Sequence, residues 1–296
     1  MELLNRIVDK SKITIDLRKK ETLKLFFISD VHFGNANVNK TKFKKAVKYI
    51  EDQKNDFEVR VILGGDIIDL ILISDPRFNP SEVDPEFKVR DLKNIANLQA
   101  EMAVEYIKPL QDILLCSLVG NHEEEYIKRH GSDIYKIYSD MLNCPRLGYV
   151  GCVMLALQSK YGNISFDIAM QHGSGGGGYT TGAPINRCYE LMKDFEVDLT
   201  WIGHLHKMED TRRERNIIAR NGRALRSLPK YFCTNGTFME KYVIGNRGYA
   251  EPLPGKNPDI GMICANISVE THRDSNLKIE NNKFMEKKIK IEKLYF

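Results

Sequence analysis

No apolar run in this 296-residue chain approaches the roughly 20 residues that a bilayer-spanning helix needs, so neither a membrane span nor a membrane partner is expected. An excess of one charge sign is missing too. The 44 Lys and Arg against 40 Asp and Glu leave a formal +4, too little by itself to imply nucleic acid. The six cysteines (Cys116, Cys144, Cys152, Cys188, Cys233, Cys264) form no C-x-x-C pair, which removes the paired-thiol redox and zinc motifs. Several of them sit inside apolar runs, as buried free thiols of a reducing compartment do. The opening MELLNRIVDK carries an acid at position 2 and no apolar stretch long enough for a secretory signal. A soluble, cytoplasmic protein is the expectation. No internal repeat or Pro/Gly-rich linker divides the chain, and GSGGGG at 173–178 is its one low-complexity patch. One domain over 1–296 is therefore expected, with a motif core at 23–210 and a strand-rich remainder at 211–296. The proline-rich EPLPGKNPD (251–259) reads as a surface loop.

What is present alternates strand and helix through the first half. LKLFFISD (23–30) is a short apolar run stopped by polar residues, as in a strand buried on both faces. FKKAVKYIEDQ (43–53) has helical spacing, and EVRVILGGD (58–66) is a second strand. A longer helix over 84–110, a third strand DILLCSLVGN (112–121) and a helix over 124–142 follow. Strands near 150–158 and 163–170 flank SKYGN, whose Gly162-Asn163 step suits a hairpin turn. A helix at 184–195 precedes VDLTWIGH, and the rest leans to strands. This order fits a mixed α/β fold, a two-sheet sandwich flanked by helices, better than a doubly wound sheet.

Five of the apolar runs end in residues able to bind metal. LFFISDVHFG gives Asp30 and His32, VILGGDIID gives Asp66 and Asp69, and CSLVGNHE gives Asn121 and His122. FDIAMQHG gives His172, and LTWIGHLH gives His204 and His206. Of seven histidines only His130 and His272 fall outside the pattern. Strand ends are where the loops of a layered fold converge on one edge and ligands gather. On an extended segment, side chains two apart point the same way, so Asp30/His32 and His204/His206 are each expected to aim two groups at one cavity. Glycines 64, 65, 120 and 203 would supply sharp turns beside them. Each piece alone has an ordinary structural explanation; the information lies in the set and its order. Glu123–Glu125 read as the acidic first turn of a helix rather than as ligands.

That order, D-x-H, G-D-x-x-D, G-N-H-E, H-G, G-H-x-H over residues 29–206, resembles the calcineurin-like metallophosphoesterase superfamily. The resemblance implies a phosphoester hydrolase with two divalent metals on an αββα sandwich. By motif position, Asp30, His32, Asp66 and His206 would hold one ion. Asp66, Asn121, His172 and His204 would hold the other, with Asp66 bridging, His122 catalytic and Asp69 hydrogen-bonded to it. The ordinary structural reading of Asp69 is a helix N-cap. The physics agrees with a bridged pair. Two divalent ions about 3.5 Å apart repel by roughly 19 kcal/mol at an effective dielectric near 20, so they need bridging anions: a carboxylate and a hydroxide that also serves as nucleophile. Two carboxylates and that hydroxide leave the centre at about +1, attractive to a phosphate ester. Mixed imidazole and oxygen donors favour Mn²⁺, Fe, Zn, Co or Ni over Ca or Mg, and Mn²⁺ is the expected cofactor.

Three features bear on the substrate. Leu70 stands where the related Ser/Thr protein phosphatases carry a phosphate-gripping arginine, which counts against that class. KMEDTRRERNIIARNGRALRSLPK (207–230) holds eight Lys/Arg (207, 212, 213, 215, 220, 223, 226, 230) against three acids, and either tracks a polyanionic backbone or is a solvated strand pair. Tyr179, Tyr231, Phe232, Tyr242 and Tyr249 suit base stacking and core packing equally. HGSGGGGYTTGAP (172–184) lacks the Lys-Ser/Thr of a P-loop and reads as a mobile loop offering backbone N–H groups beside His172. The expected activity is a phosphodiesterase or nuclease acting on DNA, RNA or nucleotides. The alternatives are a phosphomonoesterase and a non-catalytic nucleic-acid-binding subunit of the same fold, as in the small subunits of some archaeal DNA polymerases.

Overall fold

Along the strand Thr22–Ile28, Leu23, Leu25 and Phe27 alternate with Lys24, Phe26 and Ile28, and both sets are buried. Successive side chains of a strand face opposite ways, so this strand has to be covered on both sides. The computed structural model describes residues 12–175, 180, 182–218, 225–242, 257–273 and 283–296. In it Leu23, Leu25 and Phe27 pack between two sheets, and Phe26 and Ile28 pack against helices. Lys24 keeps its charge useful at the margin of this core. Its ammonium donates to Gln53 Oε1 at 2.8 Å and lies over the Phe57 ring.

The described strands are β1 (Lys12–Asp16), β2 (Thr22–Ile28), β3 (Glu58–Leu63), β4 (Leu114–Ser117), β5 (Val150–Ser159), β6 (Gly162–Gln171), β7 (Leu199–Ile202), β8 (Glu209–Ile218), β9 (Leu225–Thr234), β10 (Gly261–Arg273) and β11 (Lys283–Tyr295). The described α-helices are α1 (Lys40–Gln53), α2 (Ile95–Ile107), α3 (Asn121–His130), α4 (Ile134–Met141) and α5 (Ala183–Asp194). One sheet runs β11-β10-β2-β3-β4 and the other β1-β5-β6-β7-β9-β8. Phe27, Phe166 and Trp201 fill the space between them, the Phe27 and Trp201 rings stacking at 5.3 Å. Helices α1, α2 and α4 cover the first sheet, and α5 covers the second through Cys188 and Leu191. This is the expected mixed α/β sandwich flanked by helices.

Several boundaries differ from the sequence reading, each for a local reason. The helix expected over 84–110 is α helical only at Ile95–Ile107, between 3-10 turns at Val89–Asn94 and Lys108–Ile113. Pro109 opens the second of these turns, and Asp84 is tied to Lys40 by an ion pair of 2.5 Å rather than entering a helix. The helix expected over 124–142 is two. Gly131, at φ 64°, ends α3 in a left-handed cap, and Asp133 accepts from Lys136 N to start α4. The β5–β6 hairpin turns at Lys160-Tyr161, because Ser159 pairs with Gly162; Gly162-Asn163 already belongs to β6. Strand β1 went unrecognised, being five residues with no apolar run.

The topology has one consequence for function. β2, β3 and β4 run parallel, as do β6, β7 and β9. The C-terminal ends within each set therefore lie at a common edge, and the two edges meet where Phe238 N, beyond β9, donates to Asp30 O, beyond β2.

Candidate metal centre

All nine residues singled out in the sequence lie at this edge. Their backbone is unusual. Asp30, His32, Asp66, His204 and His206 all have positive φ, from 48° to 64°. Non-glycine residues there cost roughly 1–3 kcal/mol each, and such residues cluster at functional sites. The extended geometry expected for Asp30/His32 and His204/His206 is therefore wrong: the chain coils left-handedly at each pair. Parallel backbone bonds hold the coils, with Asp30 N donating to Gly65 O, His32 N to Asp66 O and Phe33 N to Ile67 O, each near 3 Å.

The glycines act mainly through close approach rather than turning. Gly65 alone among the four has positive φ, at 87°. A Cβ on Gly120 would sit 2.1 Å from Asp66 N and Oδ1 and 2.5 Å from Glu123 Oε2. None of those atoms can retreat without moving a candidate ligand. Gly120→Ala is expected to lower stability by about 1–3 kcal/mol and to weaken metal binding, checked by denaturant melts and metal titration.

The donor atoms converge. His172 Nε2 lies 3.1 Å from both Asp66 Oδ2 and Asn121 Oδ1, and its Nδ1–H donates to Gly64 O at 2.7 Å. That bond fixes the ring so that Nε2 faces the cluster, as metal-ligating imidazoles are usually held. His206 Nε2 lies 3.4 Å from both Asp30 Oδ1 and His32 Nε2. One group of donors within 4.8 Å of each other comprises Asp30, Asp66, His172 and His204; another comprises Asp30, His32 and His206. Asp30 is the carboxylate common to both groups, whereas motif order puts Asp66 at the bridge. Each aspartate has one oxygen engaged by the chain: Asp66 Oδ1 accepts from His122 N at 2.9 Å, and Asp30 Oδ2 accepts from His204 N at 3.0 Å.

The donors suit a metal. Asp30 Oδ1 and the Nδ1 atoms of His32 and His204 are buried without a hydrogen-bond partner, and each such atom ordinarily costs about 1–3 kcal/mol. Two imidazole nitrogens facing each other at 3.4 Å likewise need a proton or a cation between them. Burial opposes ionisation of Asp30, yet the neighbouring His206 ring and the charge of His172 hold its carboxyl below the usual range. Asp66 is also buried and held well below that range, by the charges of His172 and His122. His172 is the counter-ion. Burial lowers it, but the Asp66 charge carries it to about 10, so a metal entering here displaces a proton.

His122 and Asp69 meet differently from the expectation. His122 Nδ1–H donates to the backbone carbonyl of Asp69, while the carboxylate Oδ1 stands 3.9 Å from that nitrogen and 3.6 Å from His32 Nδ1. The positive φ of Leu70 (53°), whose amide is held by Gln99 Oε1 at 3.0 Å, orients the end of this loop. Burial pushes the Asp69 carboxyl up to about 6. Burial depresses His122, but the charges of Asp66 and Asp69 outweigh it and leave the imidazole above its ordinary value.

Two supports were not recognised in the sequence. Glu123 is fully buried, and its carboxylate accepts from the N–H groups of Asp66, Ile67, Ile68 and Gly120 at 2.8–3.2 Å. It stands in the first turn of α3, as expected, and also clamps the β3 and β4 loops together. Glu123→Gln places an NH₂ among those donors and is expected to cost about 2–3 kcal/mol, measured by urea unfolding. The second support is the end of β9. Asn235 Nδ2–H donates to Ser29 Oγ at 3.0 Å, Ser29 Oγ–H donates to Asp30 Oδ2, and Thr237 Oγ1–H donates to Asp30 O at 2.5 Å. Oδ1 of Asp30 is thereby the oxygen left for a cation. The signal was available: YFCTNGT is a sixth apolar run ending in polar residues.

The profile of the calcineurin-like phosphoesterase family matches residues 23–208, from β2 through the last histidine pair. The chain belongs to this family. Phosphoester hydrolysis and a metal site are thus its family's chemistry, and the donor cluster is where such a site would lie. Among solved structures the chain is similar to a metallophosphoesterase from Sphaerobacter thermophilus, at 14% identity and TM-score 0.37, over 92% of this chain and 89% of that one. It is also similar to a Thermotoga maritima protein, at 15% identity and TM-score 0.30, over 92% and 99%. A 5′-nucleotidase from Candida albicans is a further match, at 12% identity and TM-score 0.32, over 94% of this chain and 52% of that one. No curated protein sequence matches the chain. No described helix is long and apolar enough to cross a membrane.

The features expected to set this phosphoesterase's specificity lie elsewhere. Among the described residues the basic segment leads away from the donor cluster: β8 starts at Glu209, paired with Thr234 at the end of β9, and runs antiparallel to β9 from there. Lys207, Arg212, Arg215 and Lys230 are ion-paired within the chain, and the side chains at 220, 223 and 226 lie outside the described residues. Tyr231 and Phe232 are buried in the two cores flanking β9, and Tyr242 is exposed. Tyr179, Tyr249 and most of the glycine run also lie outside the described residues.

Proposed function

We propose that this chain is a phosphodiesterase that uses two divalent metals, with Mn²⁺ the preferred ion and nucleic acid or nucleotides the substrate. The observation that supports the reading most is the meeting of seven oxygen and imidazole donors with unpartnered buried atoms among them. Asp30, His32 and His206 would hold one ion, and Asp66, Asn121, His172 and His204 the other, with Asp30 shared. When bound, such a pair supplies Lewis acidity and an acidified water. The chain's own part falls to His122. Its Nδ1–H is taken by the Asp69 carbonyl, which leaves Nε2 as the free nitrogen. As an imidazolium it can stabilise phosphoryl charge or give a proton to the departing oxygen.

A diester is favoured over a monoester on charge. Leu70 is buried and apolar where a guanidinium would help bind a dianion, and Arg77, further along the same loop, is held by Asp75 through bonds of 2.8 and 3.0 Å. A centre of about +1 suits a monoanionic diester. The test is metal-free protein reloaded with Mn²⁺ and offered an aryl phosphate diester, the matching monoester, and labelled single- and double-stranded DNA and RNA. Faster diester turnover with strand cleavage is expected. Faster monoester turnover with intact strands would overturn the reading, as would tight metal binding with no turnover.

A further inference from the structure

The basic segment that misses the metal centre builds something else. On the outer face of the second sheet, α5 and the β8–β9 pair enclose a groove of about 430 Å³ lined by Tyr189, Lys193, Arg213, Arg215, Lys230 and Phe232. The register explains the lining. Arg213 pairs with Lys230, Thr211 with Phe232 and Arg215 with Leu228, so alternate residues of both strands face the helix. The groove lies away from the donor cluster: Arg213 is four residues along β8 from Glu209, about 14 Å of strand.

Its chemistry is aromatic and cationic together. Tyr189 is 39% exposed and its ring lies 5.9 Å from the buried Phe232 ring beneath. The Arg213 guanidinium covers Tyr189 at 4.4 Å, and that ring is the partner described for it. Lys230 is only 6% exposed, held by Val197 O and Glu196 at 2.7 Å. Glu196 also takes Arg215 and Glu190 takes Lys193, while Glu214, the one acid in the lining, is engaged by Arg212 and Ser227. The acids thus fix the neighbouring cations in place, and Arg213 is presented with a planar π face rather than an ion pair.

We infer that this groove binds single-stranded nucleic acid, stacking an unpaired base on the Arg213–Tyr189 platform with backbone phosphates along Arg215 and Lys193. An aromatic floor beside cations is the arrangement that grips single strands without reading sequence, and a base must be unstacked from its neighbours to use it. The volume matches a nucleotide-sized ligand. The groove extends the proposed reading from reaction to recognition and rests on that reading only for the use made of the bound strand.

The test is fluorescence anisotropy of a labelled dT 12-mer with the full chain in EDTA, where no strand is consumed, alongside Mn²⁺-dependent turnover of a small aryl diester. Tyr189→Ala and Arg213→Ala are each expected to weaken strand binding about fivefold or more, with small-diester turnover and melting temperature unchanged. The double-stranded form of the same sequence should bind more weakly. Absence of strand binding by the unaltered chain overturns the inference whatever the hydrolase assay gives. So does equal displacement by heparin with no effect of Tyr189→Ala, the sign of charge alone. Full displacement by adenosine monophosphate at concentrations near the strand's own Kd would make the groove a free-nucleotide site and likewise overturn it.

Discussion

Replacing His122 with alanine should lower kcat for a phosphodiester by about 10²–10⁴-fold while leaving the metal content unchanged. The reason lies in which atoms of residue 122 do what. Its backbone N–H holds Asp66 Oδ1 at 2.9 Å, and alanine keeps that bond. Only the imidazole is lost, with its Nδ1–H bond to the Asp69 carbonyl. If the ring protonates the departing oxygen, the loss shrinks for a p-nitrophenolate leaving group and is full for an alkoxide one. Elemental analysis and kinetics on paired substrates check this. Loss of metal together with activity would make His122 a structural residue instead.

The second large effect separates the two carboxylates. Asp30 reaches both donor groups, whereas Asp66 belongs to one. Asp30→Ala is therefore expected to bring tightly bound Mn²⁺ from about two ions per chain to about none, because each ion would lose an anionic donor. Asp66→Ala removes an anion from one group and leaves Asp30, His32 and His206 together, so about one ion should remain. Equilibrium dialysis against Mn²⁺ reads both. The reverse ranking, with Asp66→Ala emptying the centre, would restore Asp66 as the bridge that motif order suggests.

The contrast between these two aspartates shows what a sequence carries and what it does not. Strand ends announce themselves, since an apolar run stopped by Asp, Asn or His is a local signal, and all five such corners meet at one edge. Left-handed backbone at Asp30, His32, Asp66, His204 and His206 is not local. It is enforced by bonds between loops as distant as β2 and β3, and nothing in Asp-x-His predicts it. Glu123 is a first-turn acid as its sequence position indicates, but its clamp role is not local: only the approach of the 66–68 backbone turns it inward. The basic run at 207–230 was legible as a cluster but not as a location. Its direction away from the donor cluster depends on β8 pairing antiparallel with β9, a fact of register rather than composition. The same holds for β10, which returns from the end of the chain to pair with β2.

Diffraction at the manganese absorption edge, from crystals grown in Mn²⁺, tests the central claim most directly. Two anomalous peaks about 3.5 Å apart, with Asp30 between them and His206 and His172 on opposite sides, are the predicted result. No anomalous density at this edge of the sandwich, under conditions where Mn²⁺ supports turnover, would contradict it.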